Sequence, residues 1–232
     1  MKNQYFGDIN DYRKYGLLRI IADGGSLKIG VCWMRTPDDG GNHGSQTQYL
    51  KQQHGIEVCD PQLFYKLNEI VNVRKSSCVA EAEKVRLIPS AIYHADEVPE
   101  LSNERAIWFH RMLDCFRNAD LIFFDPDNGL KEESKPLRHK ASPKHLYWHE
   151  VEETWRRGHS VLIYQHFPRI ERKTYIKRRR EELRKTTKAE YICSFRTSNV
   201  LFLLASQPKH VCKINQCIAE RRKTWRGQIE FT

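Results

Sequence analysis

The sequence predicts an α/β protein in three layers: a mostly parallel sheet with helices on both faces, and an antiparallel strand pair near its C-terminal end. Short apolar runs alternate with helical segments along the chain, which is the pattern of a parallel sheet covered by helices. Several of these runs stop abruptly in polar residues. The 232 residues contain no linker, low-complexity tract or internal repeat, so we expect a single domain spanning 1–232.

The first half of the chain contains three predicted helices and two predicted strands. In chain order these are a helix over 8–22, a strand over 28–34, a helix over 61–75, a strand over 91–94 and a helix over 103–118. The first helix is ended by Asp23-Gly24-Gly25, a typical stop signal. The second carries apolar residues at helical spacing, namely Leu63, Phe64, Leu67, Ile70 and Val71.

The second half contains the clearest strand of the sequence. Four apolar residues, 121–124, are followed at once by Asp125-Pro126-Asp127-Asn128-Gly129. A helix over 145–157, a strand over 160–164 and a strongly basic helix within 170–188 follow. Two strands, 189–195 and 200–205, then form the predicted antiparallel pair. The lysine-rich segment 131–144 is predicted as a mobile loop.

Composition excludes several classes of protein. The seven cysteines are scattered and form no Cys-x-x-Cys pair, so neither a disulfide framework nor a zinc site is expected. His145 and His149 are four residues apart, but nothing nearby completes a metal motif, so no metal is expected. No apolar stretch is long enough to span a membrane, and the first residues lack a secretory apolar region. We therefore expect a cytoplasmic protein with no membrane partner.

The charge of the chain favours a polyanionic partner. Its net charge is +10, and the segment from Ile170 to Lys188 holds nine Lys or Arg against three Glu. A lone basic run is often only a solvated helix face, but this one directly follows a strand that ends in polar residues. We expect nucleic acid as the partner, with DNA favoured over RNA.

Polar side chains follow three of the predicted strands. Because parallel strands place their carboxyl ends at one edge of a sheet, these groups are expected to share one crevice. The first strand is followed by Thr36, Asp38, Asp39, Asn42 and His43; the second by Asp125, Asp127 and Asn128; and the third by Gln165 and His166. Carboxylates, amides and imidazoles in one crevice are suited to acid–base chemistry.

The chain also resembles a known family, and one segment that carries the resemblance is the polar run at its start, Gly7-Asp8-Ile9-Asn10-Asp11-Tyr12-Arg13-Lys14. The order of pieces resembles the Rossmann-like methyltransferases that modify the N6 amine of adenine in 23S ribosomal RNA, the J family. That family begins with a Gly-Asn-x-x-Asp-x-x-Lys helix and carries Asp-Pro-Pro-Tyr where this chain has Asp125-Pro126-Asp127-Asn128. The turn 164–169, with its aromatic-Pro pair before an arginine, and the final antiparallel pair are also similar. The resemblance implies S-adenosylmethionine as cofactor.

Two positions depart from that family. Its first strand ends in a glycine-rich loop, where this chain has Thr36-Pro37-Asp38-Asp39 before Gly40. The second proline and the tyrosine of its acceptor motif are replaced by Asp127 and Asn128. These departures favour chemistry without a cofactor.

In layout and residue types the chain is also similar to uracil-type DNA glycosylases, which flip a nucleotide out of the helix and need no cofactor. That similarity implies that Asp38 or Asp39 activates water, that Asn128 reads a base edge and that His166 bonds the departing base. The catalytic candidates are Asp38, Asp39, Asp125, Asp127 and His166, and the substrate-binding candidates are Asn128, Gln165, Thr36, His43, Lys14 and Arg13. The candidates for nucleic-acid backbone contact are Arg169, Arg172, Lys173, Lys177, Arg178, Arg179 and Arg180.

The preferred hypothesis is a cofactor-free hydrolase, a DNA glycosylase that excises a modified base, with defence against foreign DNA as a compatible role. Three alternatives stay open. They are an S-adenosylmethionine-dependent amino-methyltransferase on RNA or DNA, a metal-dependent nuclease using Asp38, Asp125 and Asp127, and a nucleic-acid-binding module without catalysis.

Overall fold

A computed structural model describes residues 1–38, 40, 46–51, 55–132 and 141–231. The strands are β1 Ile29–Cys32, β2 Ile92–His94, β3 Leu121–Phe124, β4 Ser160–His166, β5 Tyr191–Arg196, β6 Val200–Ser206 and β7 Glu230–Phe231. The α-helices are α1 Ile9–Ala22, α2 Pro61–Asn68, α3 Ala80–Lys84, α4 Ser102–Cys115, α5 Trp148–Arg156, α6 Arg172–Thr187 and α7 Pro208–Arg221.

The strands form one seven-stranded sheet in the order β2-β1-β3-β4-β6-β5-β7. Strands β1 to β4 are mutually parallel, whereas β6 is antiparallel to both β4 and β5. The predicted fold class is therefore confirmed, including the antiparallel pair toward the C-terminal end. The carboxyl ends of β1, β3 and β4 lie at one edge of the sheet, referred to below as the carboxyl edge.

Two apolar clusters, one on each face of the sheet, make up the core. Successive strand residues alternate between them, so that Phe123 belongs to one cluster and Phe124 to the other. Helices α1, α2, α3 and α7 contribute to the first cluster, and α4, α5 and α6 contribute to the second. This alternation produces a three-layer α/β/α arrangement, since every central strand is buried on both faces.

Several boundaries differ from those predicted. The helix predicted over 61–75 is α-helical only to Asn68 and continues as a π-helical segment, Glu69–Val73. The helix predicted from 145 begins at Trp148, because the backbone N–H of Tyr147 donates to the Glu150 carboxylate in a capping box. Helices α3 and α7 and strand β7 lie in segments where no element was predicted. No helix in the described part of the chain has the length and apolar character needed to cross a membrane.

Helix α1 is joined to the segment after α7 by one close contact. A Cβ atom added to Gly16 would lie 2.0 Å from the Trp225 ring, so only glycine leaves room for the indole. The Trp225 ring also lies 5.2 Å from the Tyr12 ring, centroid to centroid. The helix that carries Lys14 is thus fixed against the sheet on one side and against the C-terminal segment on the other.

Candidate active site at the carboxyl edge

A cavity of about 350 Å³ opens at the carboxyl edge of the sheet. It lies between the start of α1, the turn after β3 and the end of β4. Most of the residues that line it are polar or charged; they are Met1, Lys2, Tyr5, Asp8, Asn10, Asp11, Lys14, Gln46, Asp125, Pro126, Asp127, Asn128, Lys144, Tyr164 and His166. The position agrees with the general rule that open α/β sheets bind ligands beyond the carboxyl ends of their strands.

The start of α1 holds two carboxyl groups at the cavity wall. Asp8 is the N-cap residue, and its Oδ1 accepts a hydrogen bond of 2.8 Å from the backbone N–H of Asp11. The Asp11 Oδ2 in turn accepts from the backbone N–H of Gly7 at 2.9 Å. These two backbone hydrogen bonds orient both carboxyl groups.

Lys14 is buried at the centre of the site. Its Nζ lies 2.6 Å from Asp11 Oδ1 and 2.7 Å from Asp125 Oδ2, so one ammonium group bridges the two carboxylates. The rings of Tyr15, Trp33 and Tyr164 surround it at 5.4, 5.6 and 5.5 Å from Nζ to ring centroid. Burial opposes the charged form, but the two carboxylates outweigh burial and raise the pKa of Lys14. Lys14 is therefore a permanent cation, and the Lys14–Asp125 pair ties α1 to β3.

The turn after β3 presents a second carboxylate, Asp127. Its Oδ1 lies 2.8 Å from the amino group of Met1, and its Oδ2 accepts a hydrogen bond of 2.5 Å from the Thr36 hydroxyl. Burial alone would raise the pKa of Asp127, but the Met1 amino group and the Thr36 hydroxyl hold it below its usual value. Asp127 is therefore ionised across the neutral pH range.

Asp8 has the opposite character. Burial, and next the nearby charge of Asp11, raise the pKa of Asp8 to about 7. Burial also raises the pKa of Asp11. The cavity thus combines a carboxyl group that exchanges its proton near neutrality with a carboxylate that stays ionised. Such a separation of pKa values is the usual basis for dividing acid and base roles between two carboxyl groups.

The backbone that carries Asp127 and Asn128 is held from beneath. The buried Gln165 accepts from the backbone N–H of Leu130 at 2.7 Å and donates to the carbonyl of His166 at 3.0 Å. Gly129 has a φ of +75°, and a Cβ added there would lie 2.2 Å from the Gln165 Oε1 atom. Gln165 is therefore a support of the turn and does not belong to the cavity wall.

A buried ion pair supports the far side of the same turn. Arg105 and Glu150 form a two-pronged pair, with Nε to Oε1 at 2.7 Å and Nη2 to Oε2 at 2.9 Å. The guanidinium also donates to the carbonyls of Ser142 and His145. These contacts fix the segment that places the carbonyl of Lys144 against the backbone N–H of Asn128, at 2.8 Å.

His166 lies at the rim of the cavity, at the end of β4. Its side chain reaches solvent, and its ring packs against Tyr164 with 5.0 Å between centroids. Neighbouring protein atoms remove part of its hydration and lower the pKa of His166. The imidazole is thus neutral at neutral pH and available for hydrogen bonding.

The cavity brings together five of the predicted site residues: Asp125, Asp127, Asn128, His166 and Lys14. Thr36 contacts the cavity indirectly, through Asp127. Three others do not line it. Asp38 is exposed, Arg13 binds the Gln228 side chain at 3.0 Å, and Gln165 is committed to the backbone. Asp39 and His43 lie outside the described residues, as does most of the predicted loop 131–144.

The predicted backbone-binding cations divide into two groups. Arg178 and Arg179 both contact Glu132, at 2.9 and 3.1 Å, and Arg179 is buried, with a further bond to Glu182. Arg180 donates to the carbonyl of Ile192. The remaining four, Arg169, Arg172, Lys173 and Lys177, are exposed, and the Arg172 guanidinium lies 5.3 Å from the Phe167 ring centroid.

Sequence reasoning did not select Asp8, Tyr5 or Tyr164 as site residues. For Asp8 a signal exists, because an aspartate before an apolar helix is a typical N-cap and here it adjoins Asp11 and Lys14. The tyrosines carry no such signal. Among the described residues, no group of three His, Cys, Asp or Glu side chains is placed to hold a metal ion together.

The fold and the cavity define a three-layer α/β protein with an acid-rich pocket at its carboxyl edge. No protein-family model matches the chain, and no curated protein matches it either.

Proposed function

We propose that the protein is a hydrolase that cleaves the N-glycosidic bond of a flipped nucleotide in nucleic acid, as a DNA glycosylase does. One observation carries this proposal. Asp8, with a pKa of about 7, and Asp127, with its pKa held low, line the same cavity. Glycosidic bond cleavage requires such a pair, because the leaving group needs a proton and the sugar cation that develops needs a negative charge.

Asp8 and Asp127 have different roles in the proposed reaction. Protonated Asp8 donates its proton to the departing base while the bond between the sugar C1′ and the base nitrogen breaks. The Asp127 carboxylate stabilises the positive charge on the sugar and accepts a proton from the water that adds to C1′. The products are a free base and an abasic sugar.

The remaining walls suit recognition of a base. Tyr5 and Tyr164 offer aromatic surface, and Asn128 and Asn10 offer amide groups for a base edge. The volume of about 350 Å³ lies at the lower end of the range for small-molecule sites and suits a nucleoside-sized group.

The charge distribution supports a polynucleotide substrate over a free nucleoside. Inside the cavity, four aspartates are balanced by Lys2, Lys14, Lys144 and the Met1 amino group, whereas the whole chain has a net charge of +10. The excess positive charge therefore lies outside the cavity, and the exposed Arg169 and Arg172 just beyond β4 are part of it. Cations outside the cavity attract phosphates, while the carboxyl groups of the cavity wall remain available to contact the base.

The test is base release from single- and double-stranded oligonucleotides, with unmodified and modified bases, followed by mass analysis of the free base and alkaline cleavage at abasic sites. We expect Asp8→Asn and Asp127→Asn to lower the rate by about 10²- to 10⁴-fold. Asp114→Asn, a matched change on the exposed surface of α4, leaves the rate unchanged. Absence of any base release from all these substrates contradicts the proposal.

A second candidate, an amino-methyltransferase, is favoured by two observations. The sheet ends in an antiparallel pair, as the resemblance to the adenine-N6 methyltransferases implies. The two segments that carry the resemblance also meet, through the Lys14–Asp125 pair. The described residues after β1 do not fit the cofactor, since Thr36, Pro37 and Asp38 stand where that family has a loop of small residues. Including S-adenosylmethionine in a parallel reaction distinguishes the candidates, because a methyl gained and a base lost differ in mass.

A further inference from the structure

One side of α6 carries a continuous row of cations. Lys173, Lys177, Arg180 and Arg184 follow one another at intervals of four, three and four residues, which places them on one stripe of the helix. Together with Ile176, Glu181 and Arg196 they line a surface groove of about 410 Å³. Glu181 is the one acidic residue among these seven.

The row differs from Arg178 and Arg179 of the same helix. Arg178 and Arg179 pair with Glu182 of the same helix, and both also contact Glu132, which joins α6 to the segment after β3. Lys173, Lys177 and Arg184 are exposed and form no ion pair with the described residues. The sequence run of four cations, 177–180, therefore contains both structural and solvent-facing charges.

The position of the row relates it to the cavity. Helix α6 begins six residues after His166, the last residue of β4, so Lys173 lies toward the carboxyl edge. Arg196, which also lines the groove, ends β5 at the same edge, because β5 runs in the same direction as β4. From there the row extends along the helix for about 16 Å, at about 1.5 Å per residue.

We propose that this groove binds the sugar-phosphate backbone of the nucleic-acid strand whose nucleotide enters the cavity; the second half of this statement rests on the proposed function. Cations that recur about once per helical turn complement a polymer that carries one charge per repeat. Ile176 offers apolar contact beside them. A basic groove that follows a backbone is the usual way in which proteins bind a single strand without reading its sequence.

The experiment measures binding of a fluorescent single-stranded oligonucleotide by anisotropy at several salt concentrations. The variant Lys173→Gln, Lys177→Gln, Arg184→Gln retains Arg180, which bonds to the backbone of β5. The control Arg222→Gln, Lys223→Gln, Arg226→Gln removes the same charge from an exposed basic segment after α7. Thermal unfolding of all three proteins establishes that both variants are folded.

We expect the α6 variant to bind about a hundredfold more weakly at 0.1 M salt, with a salt slope smaller by about two, because each phosphate contact on a single strand contributes about 0.7 to the slope. The control retains nearly the affinity and slope of the parent. Equal weakening in both variants, or no weakening in the α6 variant, overturns the proposal. The anisotropy measurement reports binding alone and needs no turnover. Failure of the groove proposal therefore appears as unchanged binding in the α6 variant, whereas failure of the proposed hydrolysis appears as absence of base release.

Discussion

Two clusters of buried polar residues lie at opposite edges of the sheet, and they differ in access. At the carboxyl edge, Lys14 bridges Asp11 and Asp125 beside an open cavity. At the other edge, the Ser160 hydroxyl lies 2.8 Å from His210 Nδ1, and His210 Nε2 lies 3.4 Å from Asp120 Oδ1. By residue type, the second cluster has the composition of a hydrolase triad.

The second cluster is nevertheless closed at its serine, although the Asp120 side chain is 35% exposed. Ser160 has no exposed surface, and its hydroxyl accepts a hydrogen bond from the backbone N–H of Gln207 at 2.9 Å. Asp120 accepts from the backbone N–H of Lys28. These bonds fasten the starts of β1, β4 and α7 to one another. The comparison shows that residue type alone does not distinguish a candidate active site from a structural network. The polar groups of an active site must also be open to a ligand, and the protein itself must leave some of their hydrogen-bonding positions unoccupied.

The largest expected effect tests the charged cluster. Lys14→Met leaves Asp11 and Asp125 buried without their cation, which costs about 3–5 kcal/mol in the free energy of unfolding. Urea unfolding at neutral pH measures this loss. Lys209→Met, a matched change on the exposed surface of α7, is expected to cost less than about 0.5 kcal/mol. Equal losses in the two variants would mean that the bridge is not a major source of stability.

A smaller effect tests the raised pKa of Asp8. The folded protein keeps a proton on Asp8 up to about pH 7, whereas the unfolded chain releases it near the ordinary value of 3.8. Stability contributed by this group is therefore lost as the pH rises from about 4 to 7, at up to about 1.4 kcal/mol per pH unit.

Asp8→Asn keeps the helix cap and removes the titration. Relative to this variant, the parent is expected to lose about 2 kcal/mol of unfolding free energy between pH 5 and pH 7. Urea unfolding of both proteins at the two pH values gives the difference. Parallel curves would place the pKa of Asp8 at its ordinary value and remove the acid from the proposed mechanism.

The smallest effect tests the closed cluster. Ser160→Ala removes the hydroxyl that joins Gln207 and His210, and is expected to lower the free energy of unfolding by about 1–2 kcal/mol. Base release at saturating substrate should be unchanged, because the serine has no access to solvent. A folded Ser160→Ala protein without turnover would reverse the comparison and place the chemistry at the other edge.

Much of the fold could be predicted because strong local signals agree. The strand predicted over 121–124 has the bounds of β3, since four apolar residues are followed by an aspartate and a proline. The same signal identified Asp125 and Asp127 as candidates, because residues that directly follow a central parallel strand lie at the carboxyl edge of the sheet. In contrast, α7 was not predicted, although Pro208 at its start and the buried Ile214 and Cys217 are regular helix signals.

The properties of the site depended on contacts that sequence does not contain. The pKa of Asp8 is set by burial beside Asp11, and the orientation of Lys14 by a partner 111 residues away. The sequence could not show that Arg179 is a paired, structural cation, unlike its neighbour Lys177, because its partner Glu132 lies 47 residues earlier in the chain. The sequence can thus predict which residue types lie at the carboxyl edge of the sheet. Their protonation states and their hydrogen-bond partners can be known only from the packed structure.

The contact between Gly16 and Trp225 has a consequence for how the molecule opens. Helix α1 contributes Asp11 and Lys14 to the cavity, and the Trp225 indole packs against Gly16 of the same helix. Because release of the C-terminal segment would uncover this face of α1, we expect the two to open together. The two carboxyl groups at the start of α1 thus depend for their rigidity on a tryptophan more than two hundred residues further along the chain.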